Sequence, residues 1–337
     1  MVSIKDIASA CGVSASTVSK ALNNHRDISE STKELVRKKA AELGYRPNAA
    51  AQVLKTNRSK NLGVLFVDEA MNGLTHDFFA RVLDSFKVTA EKSGYDITFI
   101  ISHKHGEGGM SYLEHSRYRR FDGVVIACVK FEAPEVQELI NSEIPTVTID
   151  YSSNERISVL SNNLKGMSML TQYAVDMGHR RIAYIYGEPS LPTTNRLSGF
   201  YITMENNKIP VNDAYVREIR YRNMEEAARA TRELMALSEP PTCILYPDDY
   251  SCFGGINALR NMGLRIPEDI SVAGYDGIPM AIQFEPKLTT VIQNTANIGK
   301  CAAEKLIGLI EQPRLTAIES IIIDSELYEG ESIGKIG

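Results

Sequence analysis

The chain has 337 residues, of which 43% are hydrophobic and 23% charged, a length that suits two or three domains with sizeable cores. Its formal charge of −5 taken whole speaks against a nucleic-acid binder, which usually carries a basic excess. The charge is divided by position: residues 1–60 carry a net +6 and the remainder −11, a basic head on an acidic body. No run approaches the roughly 18 consecutive apolar residues of a membrane helix, and the opening MVSIKDIASA has an early Asp6 and no apolar signal segment. The five cysteines (Cys11, Cys128, Cys243, Cys252 and Cys301) contain no C-x-x-C pair, so reduced thiols are expected in place of a disulfide framework or zinc site. A cytoplasmic location with no membrane partner follows as an expectation.

In the head, Ile4, Ile7, Ala8 and Cys11 recur at helical spacing, Gly12 interrupts, and Val13, Val18, Ala21 and Leu22 resume an apolar face. Gly12 can take positive φ and close a tight turn, and Ser14 stands where the second helix needs an N-cap. Two short helices joined in this way are a helix-turn-helix pattern. A third helix is expected from Ser29 and from a capping box at Ser31-x-x-Glu34, running through Leu35, Val36, Ala40 and Leu43 to Gly44. The same residues would also suit a plain three-helix bundle with a solvated, Lys-rich surface. Against that stands the small, polar face Ser14–Ala15–Ser16–Thr17–Lys20, which can lie in a major groove and donate to phosphates and base edges. Beyond this head, residues 1–46, come residues 47–60, where Pro47 to Lys55 reads as a short helix of marginal stability alone. Leu54 there has no obvious core to join; it suits a minor-groove wedge or a plain linker equally.

The pattern I-x-D-I-A-x-x-x-G-V-S-x-x-T-V-S-x-x-L-N, the L-G-Y-R-P-N stretch and the segment ending in Leu54 resemble the lactose-repressor (LacI/GalR) family of bacterial regulators. The match is dense over residues 3–56 and looser through the rest of the chain. The resemblance implies a homodimer reading a pseudo-palindromic operator. By position it gives Ala15, Ser16 and Lys20 base-reading roles, and Ile4, Ser14, Thr17, Asn23, Ser29 and Thr32 backbone contacts. Leu54 becomes the intercalating hinge residue, with Lys55 beside it in the DNA-contacting set.

From Asn61 onward the pattern changes to apolar strands alternating with amphipathic helices. Strands are expected at Gly63–Val67, Ile97–Ile101, Gly123–Ala127, Thr146–Ile149, Ile182–Tyr186, Cys243–Tyr246 and Ile270–Gly274, with helices at Phe78–Ser93, Leu164–Met177, Met224–Leu237 and Tyr250–Met262. Such alternation indicates doubly wound parallel sheets covered on both faces, and the length of residues 61–337 suits two lobes. The resemblance implies a periplasmic-binding-protein-like core with crossovers near Asn162, Gln293 and Asp324. Lobe 1 would then hold about 61–162 and 293–324, and lobe 2 about 163–292 and 325–337.

Ligands of open α/β sheets sit at the carboxyl ends of strands, and Asp68, Asp150, Asp248, Asp249 and Asp276 each follow an expected strand. Strand-end Asp residues also cap helices, the role expected of Asp249. Arg196 opens a helix and offers a fork of donors. The family's effector positions fall on Phe78, Asp150, Arg196, Tyr221, Asp248 and Asp276. Carboxylates accepting from vicinal hydroxyls, with an Arg donating to them, suit a sugar; an amino sugar, polyol or nucleoside also fits. Asp248 stands where many members have Asn, and the chain contains no Trp, so stacking falls to Tyr221 or Phe78. One Arg among several carboxylates disfavours a strongly anionic ligand. No G-x-S-x-G, P-loop or G-x-G-x-x-G motif is present. The cluster His103, His105 and His115 has no metal-ligand spacing and reads as solvated surface, and Glu326–Glu331 reads as an acidic, exposed tail. No catalysis, metal or cofactor is expected. The expected function is a DNA-binding repressor controlled by a small molecule, most simply a carbohydrate. A sugar sensor whose head does not bind DNA, and the same regulator with a nucleoside or nucleobase effector, are the alternatives.

Overall fold

The computed structural model describes residues 2–45, 58–67, 73–101, 109–283 and 285–336, and the chain divides into two compact units, Met1–Ser59 and Lys60–Gly337. Leu54, Lys55, Asp68, His103 and His105 lie outside the described residues.

The first unit contains α1 (Ile4–Cys11), α2 (Ala15–Leu22) and α3 (Glu30–Glu42). Ser3 and Asp6 form a reciprocal capping box at the start of α1. Gly12 turns the chain with φ 65°, and Ser14 Oγ accepts from Thr17 N at 3.0 Å. Ile7, Ala8, Val18, Ala21, Val36 and Ala40 form the core. The third helix differs from expectation. Ser29, not Ser31, is the N-cap, its hydroxyl accepting from Thr32 N at 3.3 Å. The helix therefore starts one residue before Ser31, and Glu34 falls beyond the reciprocal position. Leu35 and Leu43 are exposed, while the aliphatic stem of Lys33 is buried and its Nζ reaches Glu30 at 2.8 Å.

The second unit is built on two parallel sheets. The first has the order β11-β5-β4-β3-β1-β2, from β1 (Asn61–Phe66), β2 (Asp96–Phe99), β3 (Gly123–Ala127), β4 (Thr146–Ile149), β5 (Ile157–Ser161) and β11 (Ser320–Ile323). The second has the order β7-β6-β8-β9, from β6 (Ile182–Tyr186), β7 (Val216–Glu218), β8 (Cys243–Leu245) and β9 (Ser271–Ala273). An antiparallel pair, β10 (Thr290–Ile292) and β12 (Glu326–Tyr328), joins the edge of β9 through Gly274 N to Thr289 O and Asp276 N to Val291 O, both 3.0 Å.

Helices cover both faces of each sheet, which is why the strands are apolar on both sides. In lobe 1, α4 (Asp77–Lys92) and α12 (Thr295–Glu311) pack on one face through Val82, Phe86, Ile298 and Leu306. On the other face lie α5 (Tyr112–Arg119) and α6 (Pro134–Ile140), through Leu113, Val136 and Leu139. In lobe 2, α7 (Asn163–Asp176) and α8 (Leu191–Asn206) take one face. The other is covered by α9 (Met224–Met235), α10 (Asp249–Asn261) and the short α11 (Pro279–Gln283). The chain passes between lobes three times: from β5 to α7, from β10 to α12, and from β11 to β12.

One surface reading is corrected, and another gains a strand. His115 is buried on α5, its ring edge-on to Phe121 at 6.1 Å, because that short helix lays its face on the lobe 1 core. Residues 326–328 form β12, with Leu327 packed against the lobe 2 core and Glu326 outward. The acidic side chains are exposed, but the backbone is sheet.

The two lobe 1 helices cross closely at Gly299, where a Cβ would come within 2.1 Å of Val82 O. Gly299→Ala must push two backbones apart and is expected to lower stability by about 1–3 kcal/mol. Urea unfolding monitored by circular dichroism measures this.

Candidate functional site

The strand-end aspartates fall into two kinds. Asp248, directly before α10, is that helix's N-cap. Its Oδ1 accepts from Ser251 N, and its Oδ2 from Ser251 Oγ and from Arg222 N, each at 2.8 Å. Asp249, expected as the cap, is instead the first residue of the helix and turns into lobe 2. There its carboxyl accepts from Ile278 N at 2.8 Å and Thr290 Oγ1 at 2.6 Å. Burial pushes the Asp249 carboxyl well above the ordinary range, with neighbouring Asp276 adding to it. The extended backbone of Asp248 suits a cap, which explains the shift by one residue.

Asp150 and Asp276 both sit at positive φ, 58° and 102°. Asp150, after β4, accepts from Ser161 N at 3.2 Å; burial raises its carboxyl, opposed by that bond and by Arg196. Asp276, three residues after β9, accepts from Gln293 Nε2 at 2.7 Å. Burial pushes it up to about 7, against the pull of the Arg196 guanidinium.

Arg196, on the first turns of α8, is only 4% exposed. Its Nε donates to Asn163 Oδ1 at 2.7 Å and Nη1 to Pro247 O at 2.8 Å, while Nη2 lies 3.8 Å from Asp276 Oδ1. The guanidinium lies over the Tyr275 ring, 3.6 Å from its centroid. Tyr221 approaches from the loop after β7; its hydroxyl pairs with Thr193 Oγ1 at 2.7 Å and its N–H donates to Glu188 Oε2 at 2.8 Å. Gly187 is a glycine because the Tyr221 ring would stand 2.1 Å from a Cβ there. Burial pushes the Tyr221 phenol up, again opposed by Arg196. Phe78 is placed differently: it is buried in the lobe 1 core, edge-on to Phe79 at 4.9 Å. The structure thus gathers Asp150, Arg196, Tyr221, Asp248 and Asp276 into one electrostatic neighbourhood, whereas Phe78 packs in the lobe 1 core.

Several residues that sequence reasoning passed over complete the cleft. Tyr250 OH donates to Asp77 Oδ2 at 2.6 Å across the lobes. The Arg222 guanidinium lies 4.4 Å over the Tyr250 ring, and its Nη2 is 3.4 Å from Thr75 O and 3.8 Å from Asp77 Oδ2. Arg81 reaches Gly277 O at 3.5 Å. Asn163 and Gln293 enter from the crossovers. Adjacency to Tyr221, Asp249 and Asp276 is the sole sequence signal for Arg222, Tyr250 and Tyr275.

On the head, Ser14, Ser16, Asn23 and Ser29 are exposed, and Ile4, Ala15, Thr17, Lys20 and Thr32 half-buried. Lys20 Nζ is paired with Asp27, and Asn23 Nδ2 donates to Ser19 O at 2.6 Å. Among the described residues, no group of three or more His, Cys, Asp or Glu is placed to hold a metal, and no helix is long and apolar enough to cross a membrane.

Residues 3–48 match the family described as bacterial regulatory proteins, lacI family, and residues 171–333 match the periplasmic binding protein-like domain. The HTH-type transcriptional repressor PurR of Vibrio parahaemolyticus is 32% identical over 318 residues, 92% of each chain. The chain belongs to the lacI family. Another member, the probable HTH-type transcriptional repressor ExuR of Bacillus subtilis, is 31% identical over 340 residues, covering 100% of this chain and 99% of that one. The lac repressor dimer bound to operator and the anti-inducer ONPF superposes with a TM-score of 0.83 at 25% identity, over 99% of both chains. A CelR–cellobiose complex shares the fold, with a TM-score of 0.72 at 23% identity over 98% of this chain. This lacI-family chain is therefore a DNA-binding transcriptional repressor with an effector-binding core, and not an enzyme.

The pH dependence of this repressor's stability tests the Asp276 environment. A carboxyl raised from 3.8 to about 7 on folding favours the native state while neutral, and that contribution is lost as pH rises through its folded value. Asp276→Asn cannot ionise, so the fall in melting temperature between pH 5 and 8 should be smaller in the variant than in the wild type. Calorimetry at the two pH values measures it.

Proposed function

We propose that this repressor responds to a carbohydrate bound between the two lobes of its core. The observation that carries the reading is the buried Arg196 beside Asp276 at the carboxyl ends of the lobe 2 strands, with Asp150 at the equivalent end of lobe 1. Ligands of open α/β sheets bind at that edge. Vicinal hydroxyls can donate to the carboxylates and accept from the guanidinium, and the Tyr221 ring offers an apolar face. Asp150, Arg196, Tyr221, Asp248 and Asp276 form the proposed effector set, with Phe78 backing the lobe 1 wall. Asp248 acts there mainly by holding α10 and Arg222 in place.

Two chains assemble as a dimer on a pseudo-palindromic operator. We assign residues 1–46 to the DNA-binding headpiece, 47–60 to the hinge and linker, and 61–337 to the core, lobe 1 comprising about 61–162 and 293–324. In each headpiece Ala15, Ser16 and Lys20 read base edges, while Ile4, Ser14, Thr17, Asn23, Ser29 and Thr32 contact the backbone. Leu54 and Lys55 extend the contact into the hinge. Ligand binding shifts the population of lobe arrangements, and a coupling of about 1–3 kcal/mol is enough to change operator affinity up to a hundredfold.

A thermal-shift screen of sugars and nucleobases against the full-length protein tests the effector class. A ligand at about a hundred times its Kd adds about 2.7 kcal/mol to stability. A sugar should give such a shift with the wild type and little with Arg196→Ala. A shift from nucleobases alone, or a sugar shift unaffected by the substitution, would contradict the reading.

A further inference from the structure

We propose that the effector carries an acidic oxygen group, a carboxylate on a polyhydroxylated chain, gripped by the side edge of the Arg222 guanidinium. This rests on the reading that a carbohydrate occupies the cleft, and it narrows that class to sugar acids.

The backbone at Arg222 is strained. Arg222 has φ 57°, a conformation that side chains other than Gly, Asn and Asp adopt at a cost and that persists where surroundings hold it, often at functional sites. Here Asp248 Oδ2 holds it by accepting its N–H at 2.8 Å. The strain sends the guanidinium between the lobes, with the side chain 11% exposed. Its Nε is buried and has no hydrogen-bond partner, and among the described residues Nη2 makes long approaches, 3.4 Å to Thr75 O and 3.8 Å to Asp77. Nε and Nη2 form one edge of the guanidinium, the edge that takes a carboxylate with two parallel hydrogen bonds. Arg117 in this same chain shows that geometry, holding Glu143 through Nε at 3.1 Å and Nη2 at 3.0 Å.

Hydrogen-bond demand in the cleft favours an acceptor-rich ligand. Both oxygens of Asp248 and both of Asp249 already accept from protein donors. By contrast, Arg196 Nη2 stands 3.8 Å from Asp276 Oδ1, beyond hydrogen-bond reach, and Arg222 Nε has no hydrogen-bond partner. Asp77 balances the Arg222 charge from 3.8 Å without filling the Nε donor of its side edge. A diol at this edge offers only neutral acceptors, whereas a carboxylate offers two charged oxygens at the spacing of the fork. Asp150 and Asp276, each holding one protein N–H donor, and the unpartnered, buried Gln293 Oε1 are left for the ligand's hydroxyls. The expectation that a single Arg disfavours an anion changes once Arg222 and Arg81 stand in the same cleft.

Isothermal titration of the full-length protein with six-carbon aldoses, their uronates and aldonates, and glucose 6-phosphate tests the proposal. One acid should bind roughly ten- to a hundredfold more tightly than its neutral parent, the span of a charge-assisted pair. Arg222→Asn should bring that acid down to the neutral sugar's affinity. Because Asn tolerates the left-handed backbone, the melting temperature should not fall, so lost binding is not lost fold. Equal binding of acid and neutral sugar, or acid affinity unchanged in Arg222→Asn, overturns the proposal and leaves the carbohydrate reading standing. Binding of the phosphate sugar without the carboxylates overturns the carboxylate assignment. Binding of no sugar, acid or neutral, overturns both.

Discussion

The core depends on keeping one charge out of water. A buried guanidinium is costly unless its donors are matched and its charge balanced, and Arg196 meets that demand with partners drawn from separate segments. Asn163 comes from the first crossover, Pro247 from the end of β8, and Tyr275 and Asp276 from the end of β9. Meeting the hydrogen-bonding needs of one side chain therefore fixes where the carboxyl ends of the lobe 2 strands lie. Asp276 is then drawn to Gln293 in the second crossover. Asp249, one layer beneath, ties α10 to the β9–α11 loop and to β10. Residues around the cleft are held mostly by other residues around the cleft.

Between the lobes the physics is different. Three crossovers join them covalently, and beside them Gln293 reaches Asp276 at 2.7 Å and Lys165 pairs with Asp324. Away from the crossovers, among the described residues, polar contacts span the gap: Tyr250 to Asp77 is short at 2.6 Å, and those of Arg222 and Arg81 run from 3.4 Å to 3.8 Å. Long polar contacts at the rim cost little to break and can re-form elsewhere, whereas the packed sheet faces cannot yield gradually. Rigid lobes joined by weak contacts suit the proposed response, in which a ligand that touches both lobes biases their arrangement by its differential affinity.

Much of the fold could be read because burial on both sheet faces demands apolar strands. The expected Gly123–Ala127, Thr146–Ile149 and Ile182–Tyr186 coincide with β3, β4 and β6, and others shift by one or two residues at the ends. Of the strands not foreseen, β5, β10 and β11 are short and apolar, while β7 and β12 carry weaker signals. β7 (Val-Arg-Glu) lies at a sheet edge with no fully buried residue, and β12 alternates Glu and Leu because one face meets water. Short-range chemistry was the least legible: whether Asp248 or Asp249 caps α10 depends on the backbone angle of one residue. Sequence singled out Arg196 by its helix start and Tyr221 by family resemblance. Arg222 was missed because its importance comes from a positive φ and from a partner in the other lobe, neither of which leaves a spacing pattern.

The claim that Arg196 organises the strand ends is tested most directly by hydrogen exchange on Arg196→Met, which keeps much of the side-chain volume and removes the charge and donors. The account predicts that amides near Asp248, near Ile278 and near Asn163 lose protection together, while those of β3 and β4 in lobe 1 keep theirs. If the three lobe 2 segments stay as protected as in the wild type, or if protection is lost evenly across both lobes, Arg196 is not the residue on which the cleft is built.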